Sequence, residues 1–337
     1  MSKSTTIWVI ALTGFAACSG GADGGADEPV DASRLDDSAV DAALVDAALV
    51  DAAVDALSID APASNDGFVT PTAITKANLQ IGGVWTEVGD PDWTCLDTAS
   101  PDLPSTGTVA LGGRISDFQT GNGVGNGTIA AWSTAPAMTV GTTISANAAA
   151  TRGDFSMTLG MLPAGTRRYG FTITAQSYVS TVVLGRYYPS GSATVDDIDV
   201  ISEATASALP ALVGVSRDPT AAFYVGSMRD CQGRTVSNAV AAVSTVPSTF
   251  TNAGGETFYF SAGSTSLPVR HNVASVMNRD GLFTVLNVPS GPALHVQVWG
   301  FRTTAELNAG TMTLLGEIFA PSETGQGVLM RLQPRRT

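Results

Sequence analysis

At 337 residues the chain exceeds one ordinary domain and has room for about two once targeting and linker segments are set aside. Hydrophobic residues make up 44% and charged residues 14%, with 36 Gly and 17 Pro among abundant Thr, Ser, Val and Ala, the balance of a β-rich chain with many turns. The net charge of −13 is concentrated in residues 19–67, where eleven Asp and Glu28 face Arg34 alone; residues 68–337 carry 15 Arg and Lys against 18 Asp and Glu, a nearly neutral body without the basic face that nucleic acid requires.

Met1 to Cys18 opens with one cation, Lys3, runs apolar from Ile7 to Ala17 and ends in small residues. This is a secretory signal layout, too short for a transmembrane helix. The cleavage zone Phe15-Ala16-Ala17-Cys18-Ser19 resembles the bacterial lipobox, with Phe15 where Leu is usual. The resemblance implies that Cys18 is lipidated and becomes the first mature residue. Acyl chains at roughly 0.8 kcal/mol per buried methylene then anchor the protein to a membrane, and Ser19 implies sorting to the outer one. The other reading is an ordinary signal peptide whose cysteine is incidental.

Asp recurs at 31, 36, 41, 46, 51, 55 and 60 among Ala, Val and Leu, a low-complexity repeat near period five. On a helix, five residues advance about 500°, so successive Asp residues fall about 140° apart and no apolar stripe forms. Like-charge repulsion then favours a disordered, solvated tether over 19–67, with an end-to-end distance of roughly 40 Å. Calcium capture by this Asp series is disfavoured, because divalent ions need ligands that converge from a folded loop.

From Phe68 onward, short alternating apolar runs are separated by Gly, Pro, Asn and Asp turns. In Arg168–Ala175, Tyr169, Phe171 and Ile173 fall on one face and Arg168, Thr172 and Thr174 on the other, as a half-buried strand requires. Leu294, Val296 and Val298 alternate in the same way. Further predicted strands cover 109–116, 128–132, 155–159, 179–184, 223–228, 239–244, 257–260, 282–286, 314–319 and 328–332. The single helix candidate is 197–212, with Ile198, Ile201, Leu209 and Leu212 near one face, Asp199 or Ser202 as cap and Pro210 as terminator. Residues 68–107 read as an extended segment laid against the first sandwich.

An internal repeat organises these strands. Gly113-Arg-Ile-Ser-Asp-Phe-Gln-Thr-Gly121 followed by Thr128-Ile-Ala-Ala-Trp132 corresponds to Gly226-Ser-Met-Arg-Asp-Cys-Gln-Gly233 followed by Val240-Ala-Ala-Val243. Later, Thr151-Arg-Gly-Asp-Phe155 and Leu162-Pro-Ala-Gly165 correspond to Asn278-Arg-Asp-Gly-Leu-Phe283 and Val288-Pro-Ser-Gly291. In each copy Asp117 or Asp230 is placed to accept backbone hydrogen bonds ahead of it while a glycine turns the corner. This repeated order resembles the carboxypeptidase regulatory-like, or transthyretin-like, β-sandwich of a myxobacterial-type surface lipoprotein.

The fold class implied is all-β: two tandem transthyretin-like, immunoglobulin-like antiparallel sandwiches with one short inter-domain helix, preceded by the disordered acidic tether. Its divisions are 1–18 signal peptide with lipobox, 19–67 tether, 68–190 first sandwich with its N-terminal extended segment, 191–221 helix-containing linker and 222–337 second sandwich. The second copy carries a longer insert, 55 residues from Gly226 to Gly281 against 40 from Gly113 to Gly153. It contains Glu256-Thr-Phe-Tyr-Phe260 and suggests a protruding hairpin, with Phe258 and Phe260 either exposed or packed inward.

Reactive motifs are sparse. The chain has two histidines, His271 and His295, and lacks HExxH, C-x-x-C, G-x-S-x-G and the P-loop pattern, so no catalytic residue, metal site or cofactor is assigned. Gly121-Asn-Gly-Val-Gly-Asn-Gly127 has glycine at every second position and reads as a hairpin loop, not a dinucleotide fingerprint. Cys95 and Cys231 are either a disulfide, chemically permitted outside the inner membrane, or two separate thiols.

The leading expectation is a non-catalytic lipoprotein of the cell envelope, on the outer membrane or cell surface. It would be held through its N-terminal lipid and display two sandwiches for adhesion, scaffolding or ligand binding to an envelope protein or glycan. The alternative is carbohydrate binding, with Trp299, Tyr187, Tyr188 or Trp132 stacking on sugar faces. A third reading is a hydrolase with a transthyretin-like site built from His295, Arg302 and an Asp.

Overall fold

A computed structural model describes residues 68–133, 138–263 and 266–337; the signal segment, Cys18 and the tether lie outside these residues. In chain order, β1 (Lys76–Ile81) and β2 (Val84–Gly89) form a hairpin ahead of the first repeat. That repeat contains β3 (Val109–Asp117), β4 (Thr128–Trp132), β5 (Thr139–Ile144), β6 (Asp154–Leu159), β7 (Tyr169–Thr174), β8 (Thr181–Arg186), β9 (Ala193–Val195) and β10 (Ile198–Val200). Helix α1 (Glu203–Leu212) follows. The second repeat contains β11 (Ala222–Met228), β12 (Thr235–Ser237), β13 (Ala239–Ser244), β14 (Glu256–Phe260), β15 (Pro268–Val269), β16 (Leu282–Val288), β17 (His295–Gly300), helix α2 (Thr304–Ala309), β18 (Thr313–Phe319) and β19 (Gly327–Leu332). The fold is all-β, as expected.

The duplication is visible in the pairing. In each copy a central strand, β3 or β11, has an antiparallel partner on one side, β6 or β16, and a parallel partner on the other, β9 and β10 or β19. The opposing layers, β4-β7-β8 and β13-β17-β18, are antiparallel in both. Register agrees to the residue: Gly113 stands opposite Phe155, and Gly226 opposite Phe283. In both pairs the phenyl ring lies over the glycine, so a Cβ on Gly113 would stand 3.1 Å from Phe155 Cε1 and one on Gly226 2.8 Å from Phe283 Cε1. Gly153 and Gly281, at φ of 93° and 67°, occupy matching left-handed corners. Their carbonyls accept from Ile115 N at 2.8 Å and Met228 N at 3.1 Å, each two residues past the strand glycine.

The two copies share one sheet. Its nine strands run β15-β14-β16-β11-β19-β8-β7-β4-β5, and the joint is a parallel pairing of β8 with β19, Thr181 to Val183 against Gly327 to Leu329. Alternation along these strands sends two sets of side chains in opposite directions. One face carries Phe171, Val183, Leu329, Val225 and Phe258 into a core with Leu111, Ile115, Ile198 and Ala206 of α1. The other carries Val182, Val328, Tyr224 and Phe283 into a core with Val240, Val296 and Leu315. The first copy's smaller sheet, β10-β3-β6 with β9, thus covers one side of the shared sheet, and β13-β17-β18 covers the other.

Several expectations change. The helix candidate splits: Ile198–Val200 is a strand, because Ile198 and Val200 are buried in alternation beside β3, and α1 begins only after Ser202, whose side chain accepts from Thr205 N. Pro210 lies in its last turn. A second helix, α2, is present, with Thr303 as N-cap and Gly310 left-handed at its end. The segment 68–107 starts on the second copy: β1 pairs with β12, Asn78 Nδ2 donates to Ser237 Oγ at 3.1 Å, and Thr75 N donates to Phe301 O at 2.8 Å. β12 is a short, fully buried edge whose backbone groups need that partner. Only from Asp102 does the segment reach the first copy, through Arg168 and Tyr187. The long insert does not protrude: β14 pairs with β16, and Phe258, Tyr259 and Phe260 are buried.

Candidate functional site

The joint between the copies builds a groove of about 700 Å³ over β8, β19 and β11. These three neighbours run parallel, so their C-terminal ends lie side by side. Val183, Leu329 and Val225 form an apolar floor. Pairing of β7 with β8 shifts register between Tyr169 and Phe171, and beyond this bulge Arg186 lines the same groove. Arg331 of β19 enters beside it, next in register to Ser227.

The polar wall comes from the β9–β10 corner. Asp196 accepts from Arg186 Nη1 at 3.2 Å and from the Tyr188 hydroxyl at 2.6 Å. Burial and the Asp196 charge hold the Tyr188 phenol well above its ordinary range. Asp199 is half-buried, and its carboxyl is pushed up to about 6 by burial, with Asp197, Asp117 and Asp196 adding to the shift and Arg186 opposing it. Arg331, exposed on β19, is lowered by desolvation and by the like charge of Arg186, with Asp196 and Asp199 opposing the shift, and it makes no hydrogen bond or close ion pair with any described residue. At the rim, buried Asp102 pairs with Arg168 at 2.7 Å, and Arg168 also donates to Gln333 Oε1 at 3.1 Å.

The opposite rim is the turn led by Asp230. Its Oδ1 accepts from Gln232 N at 3.0 Å and Arg234 N at 2.9 Å, the use expected of both turn aspartates; Asp117 does the same for Gln119 and Thr120. Cys231 on this turn is bonded to Cys95, with Cα atoms 5.8 Å apart. The disulfide clamps the segment ahead of the first copy onto the second, and Asp92 N reinforces it by donating to Asp230 Oδ2 at 3.0 Å.

Of the aromatic candidates, Tyr187 and Tyr188 line the groove. Tyr188 is buried against Tyr169 and Phe171, and the half-buried Tyr187 accepts at its hydroxyl from Leu103 N at 3.1 Å. Trp299 lies elsewhere, half-buried on β17 and donating to Gln297 Oε1 at 3.2 Å; Trp132 is buried and donates to Thr172 Oγ1. The four do not form one stacking platform.

The hydrolase constellation is not assembled. His295 begins β17 and Arg302 follows its far end, roughly 20 Å apart along the strand. His295 Nδ1 is 3.9 Å from Glu317, whose carboxylate is already taken by Ser248 N and Gln297 Nε2, while Arg302 clamps Glu306 at 2.6 Å. His271 Nε2 lies 2.8 Å from Glu256 Oε1, which accepts, and the ring stacks on Phe258. Among the described residues no group of three or more His, Cys, Asp and Glu side chains is arranged to hold a metal ion, and no helix is long and apolar enough to cross a membrane.

Sequence reasoning missed Arg186, Asp199 and Arg331 as a group. Arg331 lies far along the chain from the other two, and only the parallel pairing of β8 with β19 brings them together.

No family model matches the chain, and no curated protein does. Among solved structures, it is similar to hydroxyquinol 1,2-dioxygenase from Pseudomonas putida DLL-E4, at 17% identity over 48% of this chain and 75% of that one, with a TM-score of 0.20. It is similar to a "putative carbohydrate binding protein" from Bacteroides uniformis, at 12% identity over 59% and 90%, with a TM-score of 0.21. A third likeness is to shaft pilin SpaA from Lactobacillus rhamnosus GG, at 9% identity over 68% and 98%, with a TM-score of 0.19. At such scores none of these likenesses carries an argument about what this chain does.

Proposed function

We propose that this chain is a non-catalytic surface lipoprotein of a bacterial envelope, anchored through Cys18 and presenting a fused pair of β-sandwiches that bind a ligand in the groove between them. One observation carries the binding reading: the joint of β8 with β19 places an apolar floor, four arginines and four aspartates, Arg186, Arg331 and half-buried Asp199 among them, in one concavity of about 700 Å³. That size and mixture suit a small-molecule or oligomeric ligand. The signal segment, the lipobox-like Cys18 and the acidic stretch after it support the location.

The two parts are tested separately. Wild-type protein is expected in the detergent-extractable membrane fraction, and Cys18→Ala is expected to leave it; unchanged retention of the variant refutes the anchor. For binding, purified protein is exposed to solubilised envelope material and groove ligands are sought by protection of Arg186 and Arg331 from a guanidine-modifying reagent. Carbohydrate is the second reading, favoured by Tyr187 and by the Asp199 carboxyl, which lines the groove with no described hydrogen-bond donor on it.

A further inference from the structure

The ligand-binding reading leaves the ligand's chemistry open, and the residues of the groove narrow it; any assignment of that chemistry rests on the groove being a binding site. Arg186 already has a counter-ion, Asp196, at 3.2 Å. Arg331 forms no hydrogen bond or close ion pair with a described residue: Arg186 on the next strand repels it, and Asp196 and Asp199 attract it only at longer range. Its exposed guanidinium therefore keeps its fork of donors open to an anion that can be held bidentately.

Two neighbours restrict which anion fits. Asp199 lines the same groove and accepts no hydrogen bond from a described residue. A carboxylate there opposes a multiply charged phosphate or sulfate, but it accepts protons from hydroxyl groups. Val183, Leu329 and Val225, core residues whose outer edges line the groove, offer an apolar floor to the C–H face of a sugar ring. Peptide recognition by strand addition is closed to it, because β8, β19 and β11 are interior strands paired on both sides.

We propose that the groove binds a carboxylate-bearing saccharide, its carboxylate forked onto Arg331, its hydroxyls donating to Asp199 and its ring face on the apolar floor. Charge-assisted, bidentate bonds of this kind set both affinity and orientation.

The test applies full-length protein to an array of uronate- and sialate-bearing oligosaccharides printed beside the same glycans with their carboxyl groups reduced to alcohols. Retention of an acidic glycan is expected, with at least about tenfold weaker retention of its reduced partner. Arg331→Ala is expected to lose roughly tenfold to hundredfold, and Arg331→Lys, which keeps the charge without the fork, less. The melting temperature of Arg331→Ala is expected to equal or exceed that of wild type, since no internal bond is removed. Equal retention of acidic and reduced forms, or unchanged retention by Arg331→Ala, overturns the acidic assignment and leaves the binding groove standing. Retention of a poly-glutamate peptide in place of any glycan, lost on Arg331→Ala, overturns it in favour of an acidic peptide. Failure of wild type to retain either glycans or the peptide, with Arg186 and Arg331 unprotected in envelope material, overturns the groove reading as well.

Discussion

Replacing Gly226 by Ala tests the glycine-under-phenyl arrangement that repeats in both copies. The new Cβ would overlap Phe283 Cζ and stand 2.8 Å from Cε1 and 3.0 Å from Met330 Cγ. Phe283 is fully buried and Met330 nearly so, so neither can move without disturbing the core between the shared sheet and β13-β17-β18. Overpacking of this kind costs about 1–3 kcal/mol, or roughly 3–10 °C in Tm for a body of this size. Gly113→Ala should cost more, because its Cβ runs into the Asp196 carbonyl, a backbone atom that cannot rotate away. Phe283→Leu should partly rescue Gly226→Ala in a double-mutant cycle, whereas Phe155→Leu should not rescue Gly113→Ala. Gly107→Ala, with nothing near its Cβ, serves as the neutral control. Urea and thermal melts measure all of these; a Gly226→Ala protein within about 0.5 kcal/mol of wild type would refute the argument.

Two further outcomes come from the groove and its rim. Reducing Cys95–Cys231, which closes a loop of sequence separation 136, should lower stability by about 2–5 kcal/mol, read as a drop in Tm with dithiothreitol; alkylation of both thiols without prior reduction would show that the bond is absent. Asp199 has its carboxyl raised to about 6 in the folded state, above its unfolded value near 4, so folding keeps a proton that the unfolded chain releases. Its contribution is therefore most favourable below about pH 4 and is lost as pH rises through 6. Asp199→Asn should match wild type near pH 4 and exceed it at pH 7 by up to about 3 kcal/mol, an upper limit given its partial exposure; equal pH–stability curves would refute this.

The alternation of Tyr169, Phe171 and Ile173, and the doubled order of strand glycine, Asp-led turn and buried Phe, made the all-β duplication legible because those signals are local. The α2 helix went unread, although Thr303, Glu306 three residues later and Gly310 at the end form a capping-box pattern with a glycine stop, because the six-residue helix buries no residue and so leaves no apolar period. The strand at Ile198–Val200 was not legible either, since three residues cannot separate a helical period from a strand period. Nor was the docking of β1 on β12, which depends on an edge left bare more than 150 residues downstream. The groove was hidden for the same reason: Tyr187 and Tyr188 were visible as aromatics, but Arg331 acquires meaning only from the strand beside it.

The joint between β8 and β19 also sets an order of events during synthesis. At about 5–20 residues per second, β8 emerges from the ribosome or translocon many seconds before the strand that will cover it. Through that interval the nascent first copy presents a bare, apolar strand edge, the template on which unrelated chains aggregate. That exposure ends when Gly327 to Leu329 arrive and close the edge from within the same polypeptide.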